Sequence, residues 1–77
     1  MSSFTVRQGR RYRATIRLGW LEQLADNETI AARLRNVGFA DVVVMGRGAH
    51  RTAEALWPGS DASAPLPPQI TDVIETA

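Results

Sequence analysis

Polar and apolar residues alternate strictly from Arg11 to Leu18. The apolar positions are Tyr12, Ala14, Ile16 and Leu18, and the polar positions are Arg11, Arg13, Thr15 and Arg17. A period of two with β-branched and aromatic residues is typical of a half-buried β-strand. The pattern therefore predicts a strand that buries one face and presents a row of guanidinium groups on the other, about 7 Å apart along the strand.

Helical periodicity replaces this alternation between Asn27 and Gly38. The apolar residues at helical spacing are Ile30, Leu34 and Val37. Asn27 is the expected N-cap, because its side-chain oxygen can accept a hydrogen bond from a free backbone N–H. Gly38 is expected to end the helix, since glycine readily adopts the left-handed conformation there. We expect one helix at about residues 28–37.

Three further segments have the character of strands. Phe4 and Val6 alternate with polar residues, and Gln8–Arg10 could turn the chain back after them. Asp41–Met45 is predicted as a strand, and the weaker alternation of His50–Trp57 fits an antiparallel partner for it. The helix would provide a right-handed crossover if the strands on either side of it pair in parallel.

The C-terminal region is rich in proline. Pro58–Gly59 predicts a turn, and Pro65–Pro68 favours an extended polyproline II segment. Residues 69–77 fit either a last helical turn or a closing strand. We expect a single α+β domain at residues 1–64 and an extended, proline-led tail at residues 65–77. The predicted fold is a small α+β sandwich of β(β)αββ order, with one helix on a sheet of three or four strands.

Charge is distributed unevenly along the chain. All nine basic residues are arginine, and five of them precede Glu22, which is the first acidic residue. The rest of the chain has four arginines and eight acidic residues, so the net charge of +1 conceals a basic N-terminal part and an acidic remainder. This separation favours contact with an acidic partner or with another copy of the chain.

The small size of the chain restricts how it can be stabilised. Domains of 77 residues often rely on disulfides, a metal or a partner chain. The chain has no cysteine, and its single histidine, His50, cannot form a zinc site alone. We expect no cofactor and no metal, and protein partners, including a homo-oligomer, as the remaining support. The longest apolar run, Val42–Met45, is far shorter than the roughly 20 residues of a membrane span.

The sequence offers little support for catalysis. His50 lies between a glycine-containing turn and a strand, and the serines lie in terminal or loop regions without a nucleophile-elbow motif. Gly46-x-Gly48 is too short for a phosphate-binding fingerprint. We therefore expect that the protein is not an enzyme.

The arginine row is the strongest functional candidate. Guanidinium groups pair bidentately with carboxylates and phosphates. The row either meets acids across the sheet, remains in solvent or forms a binding surface. Nucleic acid is disfavoured, because the net charge is low and Tyr12 lies on the opposite face of the strand. Protein contacts with acids are preferred, such as those of Glu54, Asp61, Asp72 and Glu75.

Tryptophan and proline provide further candidates. Tryptophan is a natural core filler in a chain this small, which favours a place in the core over an interface for Trp57. Trp20 fits core and interface equally, and with Leu21 and Leu24 it suits a helical turn or a packed loop. The proline segment is expected to dock on the protein's own surface or on a neighbour. We predict partner binding by Arg11, Arg13, Arg17, Trp20, Pro65, Pro67 and Pro68.

Residues 27–44, Asn-Glu-Thr-Ile-Ala-Ala-Arg-Leu-Arg-Asn-Val-Gly-Phe-Ala-Asp-Val-Val-Val, resemble the helix–Gly–strand unit of sporulation-related repeat (SPOR) domains. With Tyr12–Leu18 as first strand, the resemblance covers residues 12–46. It implies a ferredoxin-like βαβ unit and a peptidoglycan-binding module. The sequence departs from the family after Gly48, where a turn and the proline-rich region replace the expected second helix and final strand. No glycan-binding residue is carried over.

The chain as a whole also resembles small subunits of phage tails and contractile baseplates, which join rings through extended tails and edge strands. The expected function is a non-enzymatic structural or assembly subunit that binds protein partners, most concretely a phage-tail or baseplate component. A SPOR-like peptidoglycan-binding module and a small nucleic-acid-binding regulator are the alternatives. The N-terminus lacks a signal-peptide pattern, so we expect cytoplasmic synthesis followed by assembly into a virion or tail.

Overall fold

The computed structural model describes residues 3–77, which form two antiparallel sheets and one α-helix. In chain order the elements are β1 (Ser3–Val6), β2 (Arg10–Arg17), a 3₁₀ turn (Glu22–Leu24), α1 (Asn27–Val37), β3 (Ala40–Arg47), β4 (His50–Trp57), β5 (Ala62–Pro65) and β6 (Ile70–Glu75). The main sheet has the strand order β3-β4-β2-β6, and β1 pairs with β5 in a second sheet. The α+β class with one α-helix is confirmed, whereas the sandwich description is not.

Strands β2 and β4 form the centre of the main sheet. We call the side of the sheet that α1 covers the inner face and the opposite side the outer face. Ala14 lies opposite Ala53 on the inner face, and Arg13 lies opposite Glu54 on the outer face. The alternation read from the sequence therefore places the arginines on the uncovered face. The expected antiparallel pairing of β3 with β4 is also confirmed.

Helix α1 covers the expected residues but has a different N-cap. The side chain of Asp26, not Asn27, accepts a hydrogen bond from the backbone N–H of Thr29, at 2.8 Å. Asn27 is engaged in tertiary contacts, because its amide donates to the carbonyl of Gly46 at 2.9 Å and accepts from Arg51 at 2.8 Å. Either residue type can cap a helix, so the sequence pattern could not separate these neighbours.

The core lies between α1 and the inner face of the main sheet. Ile30 and Leu34 of α1 pack against a buried cluster of Ile16, Leu18 and Ala53. Gly38 ends the helix as expected, with a positive φ of 127°. Val37, which shares the helical spacing of Ile30 and Leu34, is mostly exposed. One helix of 11 residues thus covers only part of a four-stranded sheet.

Two pairings that the sequence left open are resolved by the structure. β1 does not turn back onto β2 but pairs with β5, so that Phe4 lies opposite Ala64. β2 and β3 do not pair in parallel, because β4 lies between them and is antiparallel to both. The result is a split βαβ arrangement. Pairing preferences are not encoded in the alternation of a single strand, so the sequence determined neither pairing.

The C-terminal region does not form the expected tail in its entirety. Ile70–Glu75 is strand β6, which pairs antiparallel with β2 along the edge of the main sheet. The closing strand, one of the two alternatives for residues 69–77, is therefore the observed one. An extended tail at residues 65–77 is not confirmed, because most of that range belongs to β5, β6 and the turn between them. Of the domain expected at residues 1–64, residues 1 and 2 lie outside the described residues.

Candidate protein-binding site

The arginine row lies on the outer face of β2, and two of its members are paired within the chain. Arg13 Nε lies 3.1 Å from the Glu54 carboxylate on the neighbouring strand, and Arg11 Nη1 lies 3.5 Å from Asp41. Asp41 sits where β3 has a register shift, and its φ of 52° is left-handed. All four side chains are substantially exposed, so each pair contributes little to stability. The pairing does, however, neutralise the row locally.

Arg17, His50 and Arg47 meet at one corner of the outer face. Arg17 is opposite His50 in the β2–β4 register, and Arg47 is opposite His50 in the β3–β4 register. Among residues 3–77, neither arginine has a carboxylate within 4.0 Å. We call these three residues the basic corner. It is the part of the outer face where arginine charge is left unneutralised.

A group of exposed apolar side chains follows immediately after β2. Trp20, Leu21 and Leu24 have exposed fractions of 78, 63 and 86%. We call these three residues the Trp20 patch. Single exposed apolar residues are ordinary on protein surfaces, but large neighbouring ones are typical of interaction sites. Of the two expected alternatives, a helical turn or a packed loop, the structure shows the first as the 3₁₀ turn at Glu22–Leu24, and the large side chains of the segment are in solvent.

Arg51 fixes the segment that carries the patch. Its side chain is only 5% exposed, on the inner face of β4. Its guanidinium donates to the carbonyls of Gly48 and Gln23, at 3.2 and 3.3 Å, and to the Asn27 side chain at 2.8 Å. A buried guanidinium without such acceptors would be strongly destabilising. Arg51 therefore joins the β3–β4 turn, the start of α1 and the 3₁₀ turn into one unit.

Glu22 provides a second restraint on the same segment. Its carboxylate accepts hydrogen bonds from the backbone N–H of Gly19, at 2.8 Å, and from the Gln69 amide, at 2.7 Å. These hydrogen bonds, the one from Gly19 first, lower the pKa of Glu22 below its usual value. The backbone N–H of Arg17 also donates to the carbonyl of Gln69, at 2.7 Å. The segment that contains the Trp20 patch is thus fixed to the rest of the fold by hydrogen bonds.

The structure brings some of the predicted partner-binding residues together and separates others. Arg17 and Trp20 lie at the same end of the main sheet, and Pro67 and Pro68 lead directly to Gln69 at that end. Pro65 belongs to β5, opposite Ser3. Arg11 and Arg13 lie further along β2. The proline segment therefore docks on the chain's own surface, one of its two expected locations.

The sequence interpretation missed the roles of Leu21, Leu24 and Arg51. The signal for Arg51 was present, because an arginine on the same strand face as two alanines and a tryptophan indicates a buried, hydrogen-bonded guanidinium. No comparable signal marks the two leucines. An apolar residue next to a turn packs or stays exposed depending on whether another element covers it, and that is decided by the fold.

No known protein family, curated protein or solved structure matches this chain. Across residues 3–77, no helix has the length and apolar character that a membrane span requires. Within the same residues, no group of three or more His, Cys, Asp or Glu side chains is arranged to hold a metal ion.

Proposed function

We propose that this chain is a non-enzymatic assembly subunit that binds an acidic protein partner through the Trp20 patch and the basic corner. The carrying observation is the high exposure of Trp20, Leu21 and Leu24 on a segment held by Arg51 and Glu22. Tryptophan is the residue most enriched in interface hot spots, and a held segment loses little entropy on binding.

The free energy available from burying the Trp20 patch indicates that binding needs other contacts as well. Burying one large apolar side chain contributes about 1.5–3 kcal/mol, so the three residues of the patch would contribute roughly 5–9 kcal/mol. Association costs an estimated 4–15 kcal/mol in lost freedom of motion. The patch alone therefore supports weak binding. Charge pairs at the basic corner and repeated contacts in an assembly would supply the remainder.

The role of a phage-tail or baseplate component is the most concrete form of this proposal. It stays a prediction, as do SPOR-like peptidoglycan binding and nucleic-acid binding. Pairing of Arg11 and Arg13 with acids inside the chain lowers the positive potential along the row. This favours a protein over a polyphosphate partner, because the latter is held mainly by unpaired cationic groups.

The test is binding of the purified chain to the purified products of the adjacent genes, measured by calorimetry. Trp20→Ser with Leu24→Ser should weaken binding at least tenfold, because the apolar anchors are lost. Arg17→Gln should weaken binding less and reduce its sensitivity to salt. Both variants should unfold at nearly the wild-type temperature, since they alter exposed side chains.

Val43→Ser is the matched control, because Val43 is also exposed and apolar but lies opposite Glu54 on β3, away from the basic corner and the Trp20 patch. It should bind like the wild type. Equal binding by wild type and by the Trp20→Ser, Leu24→Ser variant would contradict the proposal. So would a partner whose affinity is lost with Val43→Ser but kept with the double variant.

A further inference from the structure

Helix α1 covers only part of the inner face of the main sheet, and an apolar cavity lies over the rest, closed in by residues of β1 and β5. A cavity of about 470 Å³ lies between the sheet, the end of α1 and the segment that leads from β5 to β6. A second cavity of about 300 Å³ shares Leu34, Pro67 and Ile70 with it. The two cavities thus lie next to each other along the inner face, and we call the pair together the channel.

Alanines make the floor of the larger cavity. Ala14, Ala53 and Ala55 occupy central inner-face positions on β2 and β4. Central strands ordinarily carry Val, Ile or aromatic residues there, because alanine packs poorly and has a low strand preference. Three alanines at these positions remove side-chain volume where a 77-residue protein would benefit most from it. The space is therefore a product of residue choice at the floor.

Two aromatic pairs form the walls. Phe39 and Trp57 meet edge to face with ring centroids 5.0 Å apart, and Phe4 and Tyr12 do so at 5.3 Å. Edge-to-face contacts of this kind fix ring positions. All four rings line the larger cavity. The cavity is consequently walled by large, mutually supported side chains.

The polar atoms of these walls already have partners. The Tyr12 hydroxyl accepts from the backbone N–H of Arg7 at 2.7 Å and donates to Glu75 at 3.2 Å. Trp57 Nε1 donates to the carbonyl of Ser60 at 2.7 Å. Apart from Tyr12, no ionisable side chain lines the larger cavity among residues 3–77. A molecule held there needs an apolar body and no hydrogen-bonding groups.

The second cavity ends among polar side chains. Glu22, Thr29, Arg33 and Gln69 line it together with apolar residues. The channel is therefore apolar along most of its length and polar at the Arg33 end. An apolar cavity of about 150 Å³ holds one benzene, so about 470 Å³ has room for a chain of roughly ten carbons, and this volume is within the range of natural ligand pockets.

We propose that the channel binds the alkyl chain of a single-chain amphiphile, with the polar head at the end lined by Glu22 and Arg33. A linear chain can occupy two neighbouring cavities, whereas a compact ring system fills only one. The uncharged lining fits a hydrocarbon body, and the polar end gives the head access to water. This inference does not depend on the Trp20 patch.

The test is a titration with 1-decanol below its solubility limit. The protein used is a Trp20→Phe variant, in which Trp57 in the channel wall is the only remaining tryptophan and the source of the emission that is measured. We expect a saturable change in Trp57 emission and a ligand-dependent rise in thermal unfolding temperature. Ala55→Leu and Val73→Phe fill the channel from the floor and from β6. Each should weaken decanol binding at least tenfold.

Thr52→Leu is the matched control, since it adds an apolar side chain to the outer face of β4 and should leave binding unchanged. Val73→Phe lies on the edge strand, so it keeps the test valid if Ala55→Leu does not fold. Absence of saturable binding, or equal binding by the filled variants, would overturn the proposal. The apparent molecular mass of the protein could instead double as its concentration rises and return to the monomer value in the filled variants. That result would assign the channel to a second copy of the chain and would also overturn the proposal.

Discussion

Arginine residues have three different roles in this molecule. Arg51 is buried and hydrogen-bonded to carbonyl and amide oxygens, whereas Arg13 forms an exposed pair with Glu54. Arg17 lies in the basic corner and has no carboxylate within 4.0 Å among residues 3–77. The identity of the residue is the same in each case, and the difference lies in the groups that the fold places around it.

The ion pair of Arg7 and Glu75 leads to a prediction on pH dependence. Arg7 Nη2 lies 2.8 Å from the Glu75 carboxylate, and this hydrogen bond is the main cause that lowers the pKa of Glu75 below its ordinary 4.5. A carboxylate with a lowered pKa in the folded state stabilises the fold above its unfolded pKa, and this contribution is lost as the pH falls through the folded pKa. Wild-type unfolding free energy should therefore decrease below about pH 4.5.

Urea unfolding between pH 6 and pH 3 measures this effect. Glu75→Gln should lose less stability over that range than the wild type, and Arg7→Gln should behave similarly because it removes the other partner. Some acid sensitivity should persist in both variants, since Glu22, Asp26 and Glu28 also have lowered pKa values. Parallel pH profiles for wild type and Glu75→Gln would show that the pair does not contribute.

At the scale of the elements, local sequence patterns predicted the type and the boundaries of the helix and strands better than they predicted which strands pair. The helix predicted at residues 28–37 is observed as Asn27–Val37, and the strand predicted at Asp41–Met45 lies within Ala40–Arg47. The partner of β1 was not predictable in the same way. Its pairing with β5 joins residues almost 60 positions apart, and such contacts depend on the positions of all the elements between them.

The β3–β4 hairpin provides an element-scale prediction. Gly46 has a φ of +96°, and a Cβ there would lie 2.5 Å from the backbone carbonyl oxygen of His50. Gly9 has a φ of +79°, but a Cβ added to it would have open space within 4 Å. Gly9→Ala should therefore cost about 1–2 kcal/mol for the left-handed backbone alone, whereas Gly46→Ala should cost about 3 kcal/mol or more because backbone must also move.

Chemical denaturation of both glycine variants distinguishes these contributions. The two variants should differ in the denaturant concentration at the unfolding midpoint. The dependence of the unfolding free energy on denaturant should change little, as expected for a change in folded-state stability. Equal destabilisation would mean that the hairpin accommodates a Cβ at Gly46 without cost.

At the scale of the whole molecule, β6 completes the sheet that carries the site. It supplies the second partner of β2, and Ile70 packs against the buried cluster of Ile16, Leu18 and Ala53. A chain of this size has little stability to spare. The C-terminal residues that looked like an appendage in the sequence are therefore part of the folded domain.

Removal of residues 70–77 tests this role. The shortened chain should lose cooperative unfolding, because β2 loses a hydrogen-bonded partner and the inner face loses Ile70 and Val73. Circular dichroism during heating is the measurement. Pro68→Ala, which alters only the exposed turn before β6, is the control and should keep a sharp transition. A shortened chain with the wild-type midpoint would restore the interpretation of an independent tail.

The sequence by itself determined the α+β class, the helix, the principal strands and the face on which the arginine row lies. These properties depend on local periodicity and on capping or turn residues, which act over a few positions. The tertiary structure decided which strands pair, which arginines are neutralised, that Trp20, Leu21 and Leu24 stay exposed, and that the alanines of β2 and β4 open a channel. Those properties depend on which distant segment covers a given surface, and a single helix on four strands leaves part of that surface to be covered by other segments.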